Sequence, residues 1–175
     1  KCVKNTHLVW NDCLFKCFFY MKMRLFVACF MLWLNSSAQL LSWSPSFIQE
    51  TSNTIEITAD ATKGNQGLKD YTPITDVYVH IGCITTSSTS SSDWKYSKFT
   101  WASTNAAANA PQISANKWKY TITGGLRNFF GITNSTEKVL KIAILFRSGS
   151  GNNVLRNADG SDMYIPVYET GLNVR

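Results

Sequence analysis

The chain has 175 residues, a formal net charge of +6 and five cysteines, but these totals are unevenly distributed. Residues 1–38 hold five of the 17 basic residues, one of the 11 acidic residues and four of the cysteines, leaving the remainder at 12 basic against 10 acidic, a net +2, with Cys83 alone. That remainder carries no run of Lys or Arg, so it has no phosphate-tracking surface for nucleic acid. Nor can one cysteine form an internal disulfide.

The first 38 residues divide by pattern. Position 1 is Lys and the first methionines are Met21 and Met23. From Met21 the chain runs through Lys22 and Arg24 into an apolar stretch over 25–34, then reaches small residues at Ser36 and Ala38 before Gln39. This is the order of a secretory signal, and ten apolar residues are about half the ~20 that span a bilayer. The expectation is upstream translation over 1–20, a signal peptide over 21–38 started from Met21 or Met23, and a mature protein that is secreted, periplasmic or cell-surface associated, with no membrane span. A buried core helix is the alternative reading of the apolar stretch.

From Gln39 on, short β-branched and aromatic runs alternate with polar turns, and no sustained helical period appears. The predicted strands are 40–43, 54–59, 76–85, 94–99, 117–123, 139–147 and 163–168, which suggests an all-β, two-sheet sandwich of immunoglobulin-like or carbohydrate-binding type over 39–170. Strands 76–85 and 139–147 are apolar on both alternations or nearly so, and are predicted to be central. Strand parity directs Val77, Val79, Ile81 and Cys83 inward with Ile142, Ile144 and Phe146, and sends Tyr78 and His80 to the other face. Cys83 thus reads as a small buried hydrophobe. Pro166 cannot donate to a ladder and marks 163–168 as an edge strand or bulge. Loops are expected over 63–67, 85–92, 102–111 and 148–152, and 124–131 has room for one helical turn with Phe129 and Phe130 packed inward. Residues 171–175 read as the start of a linker or of a further domain.

The inventory for catalysis is thin. After Gln39 only His80 remains among histidines, there is no GxSxG elbow, and Ser148-Gly-Ser-Gly151 reads as a hairpin turn. Ten acids leave a glycosidase pair possible by composition, yet none lies in a motif that marks it. No catalytic residue is assigned. Asn157-Ala-Asp159-Gly-Ser-Asp162 offers oxygen ligands to calcium at Asp159 and Asp162, but Asx-turn chemistry accounts for the same residues and the closing glutamate of an EF-hand is missing.

Aromatic residues carry the functional expectation. Trp94, Tyr96, Trp101, Trp118 and Tyr120 lie in or beside strands and polar loops, and a flat ring held on a rigid sheet stacks against the C–H face of a sugar. The opposing reading is that they fill the sandwich core. Trp118 and Tyr120 share a strand parity, as do Trp94 and Tyr96.

At these residues the sequence resembles a known family. The stretch from Asp60 to Leu68, then Thr75-Asp-Val-Tyr-Val-His-Ile-Gly82, Asp93-Trp-Lys95 with Trp101, Leu140-Lys-Ile-Ala-Ile-Leu-Phe-Arg147 and Asn157-Ala-Asp-Gly-Ser-Asp162 are together similar to the N-terminal module of secreted α-amylase-family glycoside hydrolases from Bacteroidetes-type bacteria. The resemblance covers nearly all of 40–170. It implies a starch-binding or immunoglobulin-like sandwich without catalysis of its own, serving a C-terminal catalytic domain of the parent chain in polysaccharide degradation. The implied ligand is an α-glucan polysaccharide or oligosaccharide, with Trp94 and Trp101 as contacts, Tyr78 and His80 as neighbours, and Trp118 as a further candidate ring. A structural spacer and an adhesin-like protein-binding module are the alternatives. Two coplanar, accessible rings among Trp94, Trp101, Trp118 and Tyr78 would favour the sugar, and the absence of any such pair would favour the spacer.

Overall fold

A computed structural model describes residues 39–169 and 171; the expectations for the signal peptide, its upstream segment, the start codon and residues 172–175 lie outside the described residues. Among the described residues eight strands form two antiparallel sheets, an all-β sandwich. The first sheet has the order β1-β2-β5-β4, built from β1 (Leu41–Ser44), β2 (Thr54–Asp60), β5 (Lys117–Thr123) and β4 (Gln112–Ser114). The second contains β3 (Val77–Thr85), β6 (Val139–Ser148) and β7 (Val154–Leu155), with β8 (Met163–Pro166) also paired to β6.

Period-two patterning explains both inner faces. In β2 the buried residues are Ile55, Ile57 and Ala59, and in β5 they are Trp118, Tyr120 and Ile122. The register sets Ile55 against Ile122, Ile57 against Tyr120, and the small Ala59 against the indole of Trp118, where the missing bulk of Ala59 leaves room for the larger ring. From the second sheet, Val79 faces Phe146, Ile81 faces Ile144 and Cys83 faces Ile142, all fully buried in the same core cluster. Each such aliphatic or aromatic side chain contributes about 1.5–3 kcal/mol on burial, and this core takes the place of a disulfide. Surface ion pairs such as Lys119 with Glu56 and Lys138 with Glu169 add little in water.

Pro166 ends β8, which pairs with β6 alone, in keeping with its inability to donate to a second neighbour. The helical turn is α1 (Leu126–Phe130), closed by Gly131 at φ +73°, with Phe130 buried and Phe129 partly so. The hairpin at 148–153 forms as expected, Ser148 N–H bonding the Asn153 carbonyl and Gly151 N–H the Ser148 carbonyl.

The predicted strand at 94–99 does not form. Tyr96 sits in the left-handed region at φ +53°, which breaks the extended run, and Lys95 makes a single bridge to Cys83. This segment belongs instead to a long strap, residues 86–111, that leaves β3 and returns to β4.

That strap closes the free edge of β3. Lys95 and Cys83 exchange two backbone hydrogen bonds of 2.7 and 2.9 Å, Lys98 N–H bonds the Ile81 carbonyl, and Ala110 N–H bonds the Val77 carbonyl. Asn109 Nδ2 adds hydrogen bonds to the carbonyls of Thr75 and Val77. An unpaired strand edge invites association with other chains, and the strap satisfies it from within.

Candidate functional site

Beyond the edge, the strap folds over the outer face of the second sheet. There the β3–β6 register places Tyr78 beside Arg147, His80 beside Leu145 and Gly82 beside Ala143, with Tyr164 of β8 next to Ala143. The turn that delivers Trp94 is set by Asp93, whose carboxylate accepts from Thr89 N–H and the Thr89 hydroxyl and pairs with Lys95 at 3.0 Å. Those hydrogen bonds hold the Asp93 carboxyl at about 2.

Trp94 lies on the bare backbone of Gly82. A Cβ at Gly82 would meet Trp94 Cε3 at 3.3 Å and the Lys95 carbonyl at 2.9 Å, so a residue without a side chain is required for this approach. The indole Nε1–H donates to the Tyr164 hydroxyl at 3.2 Å, and the ring is near-parallel to His80, 18° and 5.6 Å between centroids. Trp101 meets the same imidazole edge-on, at 79° and 5.1 Å. It also covers Arg147, with 5.6 Å from the guanidinium carbon to its ring, while Tyr78 takes another side at 5.7 Å. The 148–153 turn packs against Trp101 so closely that a Cβ at Gly151 would lie 2.6 Å from the indole Nε1.

Arg147 is the charged centre of this cluster, fully buried, with hydrogen bonds to the carbonyls of Ser148, Gly149 and Ser103. Burial lowers its pKa, yet three carbonyls and two ring faces keep a guanidinium there. Its Nε and His80 Nδ1 are buried without a hydrogen-bond partner among the described residues. Burial, and then the charge of Arg147, push His80 below its ordinary value of 6.5; the Phe99 carbonyl and the Asp162 carboxylate act in the opposite sense. His80 is therefore neutral near pH 7.

Four of the five residues selected from sequence thus meet in one cluster: Trp94, Trp101, Tyr78 and His80. Trp118 does not. It is fully buried in the opposite sheet with its Nε1–H on the Ile74 carbonyl at 3.2 Å, because its parity partner Tyr120 and its neighbour Ala59 face the core. A sealed indole cannot stack on a ligand, and Trp118 is removed from the candidate set. Tyr96 also departs from its pairing with Trp94, its hydroxyl donating to Glu137 at 2.7 Å. Arg147 and Tyr164 were not selected as site residues from sequence, since only the strand register brings them under the two indoles. Trp101 is 41% exposed. The two indoles do not form a coplanar pair, as one is near-parallel and the other near-perpendicular to His80.

No family model matches the chain, and no curated protein matches it.

Other reactive groups are quiet. Burial pushes the Cys83 thiol up to about 12, leaving no thiolate at neutral pH. Asp159 accepts from the N–H and hydroxyl of Ser161, and Asp162 pairs with Arg156, so both carboxylates considered for calcium are engaged internally. Among the described residues no group of three or more His, Cys, Asp or Glu is placed to hold a metal, and no helix is long and apolar enough to cross a membrane. A cleft of about 260 Å³ lies apart from the ring cluster, lined by Glu50, Lys138, Leu140, Tyr168 and Glu169 among others. Glu50 is committed there to Val139 N–H and Arg127.

Proposed function

We propose that this protein is a non-catalytic carbohydrate-binding module, secreted with or attached to an α-amylase-type glycoside hydrolase, and that it holds α-glucan at Trp101. The observation that carries the reading is the state of that indole: two-fifths exposed, backed by a buried guanidinium, braced by His80 and by the 148–153 turn. A ring fixed from behind loses little freedom when a sugar stacks on its open side, so the contact energy is retained as affinity. Ser150 and Asn152, exposed on the adjoining turn, offer donors and acceptors that would suit sugar hydroxyls. Tethering such a module to an enzyme raises the local substrate concentration without adding chemistry.

Because Trp94 lies on Gly82 and is turned away from the plane of Trp101, the site is a single platform and its affinity is weak, on the order of 1 mM. An affinity gel containing soluble starch tests this with the full chain. Wild type is retarded, and Trp101→Ala loses roughly 5- to 30-fold in affinity, equivalent to about 1–2 kcal/mol of stacking. Unretarded wild type would discard the glucan, while undiminished retardation of Trp101→Ala would discard the site.

The lack of a coplanar pair between Trp94 and Trp101, the burial of Trp118 and the engagement of Trp94 favour a second reading, a structural spacer whose aromatic residues serve packing alone. The same gel separates the two, since a spacer is not retarded.

A further inference from the structure

The cluster under the strap contains one titratable ring whose second proton has no acceptor. His80 is held between the two indoles, near-parallel to Trp94 and edge-on to Trp101. Its Nδ1 is buried with no hydrogen-bond partner among the described residues. A neutral imidazole tolerates a bare acceptor nitrogen, but an imidazolium needs both N–H groups satisfied. The Trp94 face attracts a cation but offers no acceptor for a second N–H, and burial with the Arg147 charge disfavours one. From β6 comes Arg147, buried and hydrogen-bonded only to neutral carbonyls among the described residues. From β3 comes Tyr78, its ring against the Arg147 guanidinium, and from β8 Tyr164, its hydroxyl hydrogen-bonded by Trp94. Asp162 is the one nearby carboxylate acting on His80, and it is already paired with Arg156; on the strap, Asp93 is paired with Lys95.

We propose that the strap over residues 86–111 is a proton-sensitive flap, in which protonation of His80 releases Trp94 and Trp101 from the outer face of the second sheet. Opening restores water to the imidazolium and moves the indoles off it, whereas the core on the other face of the sheet is untouched. The sign follows from the depressed value of His80 in the closed state. The flap is closed above the ordinary histidine value of 6.5 and loosens as pH falls below it, the open fraction rising up to tenfold per pH unit until the closed form also titrates. The consequence for ligand, that acid releases glycan, rests on the Trp101 reading given above; the opening itself does not.

Two measurements on the full chain keep these apart. Amide protection factors at Lys95 and Lys98, normalised for intrinsic exchange, are followed from pH 7.5 to 4.5 in wild type and in His80→Gln, with Ile57 and Ile144 as core references. The expected result is constant strap protection above pH 6.5 and, below it, a fall of up to tenfold per pH unit in wild type until the closed form titrates, with the core references unchanged and the variant flat. Constant strap protection in wild type, or an equal fall in His80→Gln, overturns the proposal. Should the variant fail to fold, the Cε1–H resonance of His80 in wild type decides: a midpoint at or above 6.5, or strap protection that does not fall between 6.5 and that midpoint, overturns it. Starch gels at pH 7.5 and pH 5 are then compared. Retardation lost in acid links the flap to the ligand; a chain retarded at neither pH removes the glucan reading while the exchange data still judge the flap.

Discussion

Gly82→Ala places one methyl group where the strap meets the sheet. Its Cβ would sit 2.9 Å from the Lys95 carbonyl, 3.3 Å from Ser97 Oγ and 3.3 Å from Trp94 Cε3. The Ser97 side chain can turn away, but the Lys95 carbonyl is fixed by its 2.9 Å hydrogen bond from Cys83 N–H, and the reciprocal bond is 2.7 Å. The strap must therefore move, weakening both bonds, at about 0.5–1.5 kcal/mol each. A loss of roughly 1–3 kcal/mol confined to this contact lowers amide protection at Lys95 and Cys83 by about 5- to 150-fold. The inner faces of both sheets are unaffected, because Gly82 points away from the core in a strand whose inward residues are Val79, Ile81 and Cys83. Hydrogen exchange followed residue by residue distinguishes local from global loosening. Unchanged protection at Lys95, or an equal fall at Ile57 and Ile144, would refute the idea that Gly82 is the seat of the strap.

The core and one acid-sensitive carboxylate supply two further tests. Trp118→Ala removes a fully buried indole and orphans the Ile74 carbonyl, so stability should fall by about 3–5 kcal/mol, a downward shift of roughly 2 M in the urea midpoint. A shift below about 0.5 M would show that this indole is not core. Glu137 is held below its ordinary carboxylate value by the hydroxyls of Thr85 and Tyr96. A depressed carboxylate stabilises above its unfolded value of 4.5, and that contribution is lost as pH falls through the folded value. Glu137→Gln should accordingly flatten the stability profile below pH 4.5, measured by denaturation midpoints; an unchanged acid slope would remove Glu137 from the account.

Strand parity is a local property, and for that reason the alternation in 54–59 and 117–123 was legible without coordinates, as was the nearly continuous apolar run of 139–147: β2, β5 and β6 match these bounds within a residue at each end. The inward set Val77, Val79, Ile81 and Cys83 was legible on the same grounds, because each residue's side is dictated by its neighbours. The sequence also showed that Trp118 and Tyr120 share a face. Which face that is depends on the opposite sheet, and only the tertiary structure assigned it to the core. Trp94 and Trp101 depend on contacts still more distant, since the strap's path is decided by the free edge of β3, the bare backbone of Gly82 and the guanidinium of Arg147. Exposure of a ring is what remains after every other segment has packed. That is a property of the folded chain as a whole, and no spacing of aromatic residues encodes it.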